Sequence, residues 1–195
     1  MNPEIQDKEV KLHLGCGNRH LDGYIHIDLD TYPHIDYLQD IRELPMFMDE
    51  TVDLIYSCGA IQYFDRDEVK IVLKEWRRVL KTDGILRLSV PDFESIVDVY
   101  LQNGKNLDAR VILGPLFGKW LIKSNSSDRY IYQTTTYDYK SLRTLLNDCS
   151  FKYVKRYDWR EVLPSHYDDY SMAYIPHMDQ ENGLQISLNV EAISE

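Results

Sequence analysis

At 195 residues, 44% hydrophobic and 28% charged, the chain has the size and make-up of one domain that buries on the order of 70% of its unfolded surface. Its net charge of −10 argues against a duplex-binding surface, which carries a basic stripe; the densest basic run, Arg77-Arg78 with Lys74 and Lys81, reads as the wet face of a helix. No apolar run approaches ~18 residues, so none reads as a membrane span, and three scattered cysteines, Cys16, Cys58 and Cys149, suit a reducing compartment better than a disulfide framework. Cytoplasm is therefore the expected location, with neither nucleic acid nor a metal ion expected as a partner.

The segment 1–10 is polar and acidic and looks like neither a secretory signal nor a transit peptide. A first strand, Lys11 to Gly15, runs into the turn Gly15-Cys16-Gly17, where missing Cβ atoms let a backbone come close to a ligand. A second strand, Tyr24 to Leu29, carries Asp28 near its end, where a carboxylate can accept from ribose hydroxyls. Only about ten residues separate Gly15 from Ile25, too few for a full crossover helix, so the first helix is expected as a single turn or a loop. Ile35 to Gln39 reads as strand three and Val52 to Ser57 as strand four. Asp65 and Glu68 form a capping box ahead of Val69, Val72, Leu73, Trp76, Val79 and Leu80 at helical spacing. Thr82-Asp83-Gly84 ends that helix, and Ile85 to Val90 is strand five.

A second amphipathic helix follows, with Phe93, Ile96, Val97, Tyr100 and Leu101 on one face and Asn103-Gly104 at its end. Leu107 to Lys123 reads as partly helical and broken at Gly114-Pro115, and Ser124 to Asp128 as a short loop. Asp138 can cap a third helix with Leu142, Leu145, Leu146 and Cys149 inward. Phe151 to Trp159 is strand six and Leu184 to Val190 strand seven. The intervening 160–183 is long and rich in Tyr, Asp and His, and connections of that length inside one domain are often functional.

From about Lys11 to Ile193 the chain resembles the class I S-adenosylmethionine-dependent methyltransferases, of the type 11-like kind. The resemblance rests on Leu14-Gly15-Cys16-Gly17, Asp28, Asp40-Ile41 with Leu44-Pro45, Asp53 to Ser57, and Arg78-Val79-Leu80-Lys81-Thr82-Asp83-Gly84. More narrowly, Ser89-Val90-Pro91-Asp92-Phe93 and the short first connection are similar to members associated with glycan or surface-polysaccharide synthesis. The resemblance implies one α/β domain over 1–195. Its architecture would be a Rossmann-like three-layer sandwich with a seven-stranded, mostly parallel sheet in the order 3-2-1-4-5-7-6, strand seven antiparallel. It implies S-adenosyl-L-methionine as cofactor, S-adenosyl-L-homocysteine as product, and in-line methyl transfer to a small polar acceptor such as a sugar or glycan precursor. The cofactor would be held by Leu14, Gly15, Cys16, Gly17, Asp28, Leu29, Asp40, Ile41, Ser57, Cys58 and Gly59.

For the acceptor side, the candidates are Arg160, Asp168 and Tyr174 for binding, and His177, Asp92 and Asp169 as acid–base groups; Glu161 and His166 share the same connection. For each taken singly, a solvated loop residue is the more ordinary reading. No spacing among His13, His20, His26 and His34 matches a zinc site.

Departures from the family pattern are definite. His13 replaces an acidic residue, the third motif glycine is missing, and Gln62-Tyr63 replaces Glu-His. Gln133 replaces a His, and Ser150 stands at the glycine of an "AGF" turn. These changes leave open a protein that binds the cofactor without turning it over. A nicotinamide-dependent oxidoreductase is a poorer fit: His20 occupies the third glycine position, and Asp28 follows Gly17 by 11 residues rather than ~20.

Overall fold

Alternating apolar positions put most of the core on one central sheet. The structure, a computed structural model, describes residues 9–107, 109–123, 128–177 and 179–195. Residues 1–8 of the polar tail, and the loop signal from Ser124 to Ser127, lie outside the described residues. The sheet is built from β1 (Lys11–Leu14), β2 (Ile25–Asp28), β3 (Tyr37–Leu38), β4 (Val52–Cys58), β5 (Leu80–Pro91), β8 (Phe151–Arg156) and β11 (Ser187–Ser194). Two separate hairpins pair β6 (Lys119–Ile122) with β7 (Arg129–Tyr132), and β9 (Tyr174–Ile175) with β10 (Leu184–Gln185). The sheet order is β3-β2-β1-β4-β5-β11-β8, and only β11 runs antiparallel to its neighbours. This is the Rossmann-like order expected, with β8 and β11 as strands six and seven.

Side chains of β1 alternate between the two faces, as a strand's period of two requires. Leu12 and Leu14 join one core with α1 (Glu68–Val79) and α4 (Tyr139–Asp148). His13 packs on the opposite side against Tyr24, Tyr56 and Tyr167. There the covering layer comes from the 157–172 segment, through Trp159, Leu163, Tyr167 and Met172 packed on Leu54 and Tyr56. Both helices are capped as their sequences specify. Asp65 accepts from the backbone of Asp67 and Glu68, while Glu68 reaches back to the Asp65 N–H. Asp138 and Ser141 form the reciprocal pair for α4. The remaining helices are α2 (Phe93–Gln102) and two single turns, α3 (Gly114–Phe117) and α5 (Trp159–Val162).

Several expected boundaries move. Strand three shrinks to Tyr37–Leu38 because its side chains are exposed at the sheet edge. Strand six stops at Arg156, since Asp158 caps α5 and takes Trp159 into it. Leu184 and Gln185 leave strand seven for the β9–β10 hairpin, and β11 instead continues to Ser194. Strand five begins directly after α1 at Leu80 and bulges near Asp83, which has a φ of 62°. The inward face of α2 is Ile96 and Val99; Phe93 and Leu101 are exposed. Gly114-Pro115 does not break the helical stretch: a π-helical turn, Ala109–Leu113, runs directly into α3, whose first turn holds the proline. Arg78 is not on a wet face: its guanidinium binds Glu75, Asp49 and the carbonyls of Leu44 and Phe47, tying α1 to the loop before β4.

Candidate active site

The first strand ends in a corner that only glycine accommodates. Gly15 has a φ of 65°, and a Cβ there would lie 2.6 Å from the Cβ of Ala60, in the segment after β4. Its N–H donates to the Ile27 carbonyl, so the corner is stitched to β2. Ser57 Oγ donates to the Leu14 carbonyl at 2.9 Å and ties it to β4 as well. Gly17 follows at a φ of 53° and donates its N–H to Asp28 Oδ2 at 2.7 Å. Asp28 Oδ1 accepts the N–H of Asp30 at 2.8 Å. Each oxygen keeps a lone pair, so the carboxylate can accept again. Burial raises the Asp28 pKa, and these backbone donors partly offset it.

These residues open onto one cavity of about 1080 Å³. It is lined by Gly15, Cys16, Gly17, Asp28, Leu29, Asp40, Ile41, Cys58 and Gly59 on the side of β1, β2 and β4. Leu14 and Ser57 stand behind that wall and act through the backbone tie just described. Ile41 is set from beneath, because its carbonyl accepts the Trp76 indole N–H of α1 at 2.8 Å. Asp40 is already engaged. Burial would raise its pKa, but hydrogen bonds from the Arg42 side chain and backbone, with Nη2 at 2.6 Å, outweigh that and hold it below the ordinary range.

The cysteines are protonated wall residues rather than nucleophiles. Burial, reinforced by Asp28, raises Cys16 to about 12. Burial and then Asp169 push Cys58 well above the usual thiol range.

A second set of groups comes from the 160–183 connection. Asp168, Asp169, Tyr174 and His177 line the same cavity, joined by Tyr167, Tyr170 and Met172. Asp168 pairs with Arg19 at 3.2 Å. Asp169 is buried; its Oδ2 accepts the Tyr56 hydroxyl, and its Oδ1 accepts the backbone N–H and hydroxyl of Ser171. His177 is exposed at the rim. Arg160 stands outside the lining, over the Trp159 ring, with contacts to Asp158 and the Tyr174 hydroxyl.

Asp92 is placed differently from its expected role. It caps α2 through Oδ1 and pairs with Arg156 at 3.0 Å through Oδ2, buried and off the cavity wall. Its side chain therefore holds α2 and Arg156 and does not line the cavity.

Four histidines, His13, His20, His26 and His34, come together beside the wall. His26 lies 5.5 Å from His13, 4.8 Å from His20 and 5.3 Å from His34, ring to ring. His26 Nε2 accepts the Leu21 N–H, which leaves Nδ1 to face Asp36. Burial, with the neighbouring histidines, lowers His13 to about 3. Among the described residues no group of His, Cys, Asp and Glu is arranged to hold a metal ion.

Some wall residues were not legible in sequence. Trp120 of the β6–β7 hairpin packs against the Gly17 corner, 3.3 Å from where a Cβ would be. Its indole N–H donates to the fully buried Asp30 at 3.2 Å, and Asp30 also accepts the Lys123 N–H at 2.7 Å. The one available signal was that Asp30 follows Asp28 by two residues. Gln62 and Gln133 also line the cavity, with carboxamide oxygens that no group among the described residues bonds.

A methyltransferase domain family model matches residues 28–88, from the end of β2 through most of β5. No curated protein sequence matches the chain. Solved structures resemble it across nearly its whole length. One is a putative S-adenosylmethionine-dependent methyltransferase from Listeria monocytogenes, 15% identical, with 96% of this chain and 92% of that one aligned at a TM-score of 0.52. A second is an S-adenosylmethionine-dependent methyltransferase from Methanosarcina mazei, 16% identical, covering 97% and 94% at 0.55. A third is the 1,6-didemethyltoxoflavin-N1-methyltransferase of Burkholderia thailandensis, determined with 1,6-didemethyltoxoflavin and S-adenosylhomocysteine bound. It is 14% identical, covering 95% and 70% at 0.52.

Proposed function

We propose that this chain, which has the class I S-adenosylmethionine-dependent methyltransferase fold and the family's domain match over 28–88, is an enzyme that transfers a methyl group from S-adenosylmethionine to a small polar acceptor. The observation that carries this reading is the Gly15–Gly17 corner facing Asp28 over a cavity large enough for a cofactor and a second molecule. Gly15 and Gly17 would let the backbone lie along the methionine portion. The free lone pairs of Asp28 suit ribose hydroxyls, and Ile41, braced by Trp76, suits the face of an adenine. Asp40 is less available for the adenine amino group than its position suggests, because Arg42 holds it. When bound, the cofactor supplies a methyl group on a sulfonium, an electrophile that already carries its leaving group.

The protein's share is then alignment, and fixing two reactants in line can supply ~7–11 kcal/mol of the barrier. Of the three acid–base candidates, Asp169 faces the cavity from a fixed position, His177 from the rim, and Asp92 not at all. Asp168 and Tyr174 line the acceptor end, with Arg160 behind Tyr174. A sugar or glycan precursor is one acceptor that such hydroxyl- and carboxylate-rich walls could hold. The second reading, binding without turnover, draws support from Gln62, Tyr63 and Gln133, neutral groups on the wall at positions where a base was expected.

Calorimetry with S-adenosylhomocysteine and with NAD tests the reading. Binding of S-adenosylhomocysteine with no heat from NAD is expected, and binding of NAD alone would overturn it. S-adenosylhomocysteine formation over an acceptor panel separates an enzyme from a binding protein.

A further inference from the structure

The acceptor end of the cavity has an uneven charge inventory. Among the described lining residues, each arginine lies beside a carboxylate. Arg19 pairs with Asp168, Arg42 pairs with Asp40 and lies 3.6 Å from Glu68, and Arg129 lies close enough to Asp40 to lower its pKa. Asp28 belongs to the Gly17 corner. His13 is buried and neutral. What remains beyond the corner is His177 at the exposed rim and Asp169, a carboxylate held by Tyr56 and Ser171 with no cation within ion-pair distance among the described residues. Tyr167 lies beside it, and Tyr170, Tyr174, Met172 and Ile186 line the same cavity.

Tyr167 connects this end to the corner. Its hydroxyl is buried without a partner, and burial, then Asp169, Cys58 and Cys16, raise its pKa, so it lies among all three. Arg19 acts on Tyr167 but is paired with Asp168, and Arg160, outside the lining, lies against Asp158, the Trp159 ring, and the hydroxyl and ring of Tyr174.

We propose that this end of the cavity receives an organic amine, with Asp169 as the counter-charge to its nitrogen and Tyr167 beside it. The proposal rests on the methyl-transfer reading and narrows its acceptor. Tyrosine faces attract cationic nitrogen, most strongly where water is excluded, and an anionic acceptor would meet Asp169 with no compensating charge. The chemistry agrees. A neutral amine nitrogen uses its lone pair to form the N–CH3 bond. The C–S bond breaks with its electron pair going to sulfur, and the positive charge passes from sulfonium to nitrogen; an amine that arrives as its ammonium ion first releases one proton to water at the cavity mouth, which restores that lone pair. A fixed carboxylate beside that nitrogen stabilises charge that exists only as the transfer proceeds. A hydroxyl acceptor would also need a base, and a carboxylate acceptor would be repelled.

The test uses the full chain saturated with S-adenosylhomocysteine. Matched triads on one scaffold are titrated by calorimetry: phenethylamine, 2-phenylethanol and 3-phenylpropionate; and glucosamine, glucose and glucuronate. The amine of at least one triad is expected to bind at least tenfold more tightly than both its twins, and Asp169→Asn is expected to erase that preference. An alcohol or carboxylate binding as well as its amine would overturn the proposal. So would the absence of amine binding at millimolar concentration, or a preference that survives Asp169→Asn. Asp169 also holds the Ser171 turn, so the wild-type ranking decides by itself if the variant does not fold. Failure of S-adenosylhomocysteine to bind would instead strike the methyl-transfer reading, which the first titration reads independently.

Discussion

The two ends of the cavity are built by different means. The end proposed to hold the cofactor is largely backbone: Gly15, Gly17 and Gly59 at positive φ, the Leu14 carbonyl, and N–H groups converging on Asp28. Its partners mostly come from consecutive strands, such as Gly17 and Asp28, 11 residues apart. The end proposed for the acceptor is side chains joined over long separations: Tyr56 to Asp169 across 113 residues, and Arg19 to Asp168 across 149. Trp120 and Asp30, 90 apart, fasten the β6–β7 hairpin to the Gly17 corner. A site made of backbone depends on steric fit at a few glycines, whereas one made of remote side chains depends on the whole fold.

That contrast can be broken at its strongest point first. Gly15→Ala adds a Cβ against Ala60 at a positive φ, and should cost about 3 kcal/mol of unfolding free energy, read by urea denaturation. A loss under about 1 kcal/mol would mean that the corner is not sterically closed. Asp28→Ala should weaken S-adenosylhomocysteine binding by about 2 kcal/mol in calorimetry, the scale of hydrogen bonds to a charged group. Unchanged affinity would show that the ribose lies elsewhere.

The third prediction concerns pH. His13 has a folded pKa lowered from 6.5 to about 3, so below pH 6.5 the unfolded chain binds the proton first. The wild type should therefore lose stability as pH falls from 6.5 towards 3. Between pH 7.5 and 5.5 it should lose about 1.4 kcal/mol more than His13→Gln, at about 1.36 kcal/mol per pH unit. Parallel curves for the two proteins would place His13 in contact with solvent. Smallest is Ser150→Gly. Ser150 holds a φ of 64° between α4 and β8, and glycine there should raise the unfolding free energy by about 0.7 kcal/mol. A lower melting temperature would refute the strain.

The same division decided what could be read from sequence. Gly15, Gly17 and Asp28 were legible because turn geometry and strand ends leave marks in neighbouring residues. The sheet order was legible through the family resemblance, and the helices through their caps and periodicity. Ser150 stood out only because the resemblance expected glycine, and its positive φ explains that expectation. Asp92 was misjudged because a carboxylate after a strand looks alike whether it caps the next helix or faces a ligand; the Arg156 partner that decides lies 64 residues away. Tyr167 and Trp120 carried no local signal, since each owes its place to a connection folded over the sheet. The boundary errors at β8 and β11 have the same origin: Asp158 begins a helix, and Leu184 finds a closer partner in Ile175.

The seat of Trp120 also gives the molecule an optical reporter of its own. The chain has three tryptophans; Trp76 is wholly enclosed and Trp159 nearly so, while Trp120 is 39% exposed and lies on the Gly17 corner. Any molecule entering beside that corner changes the surroundings of one indole and leaves the other two in the core. Emission wavelength and quenching by iodide therefore follow the β6–β7 hairpin directly, without a label.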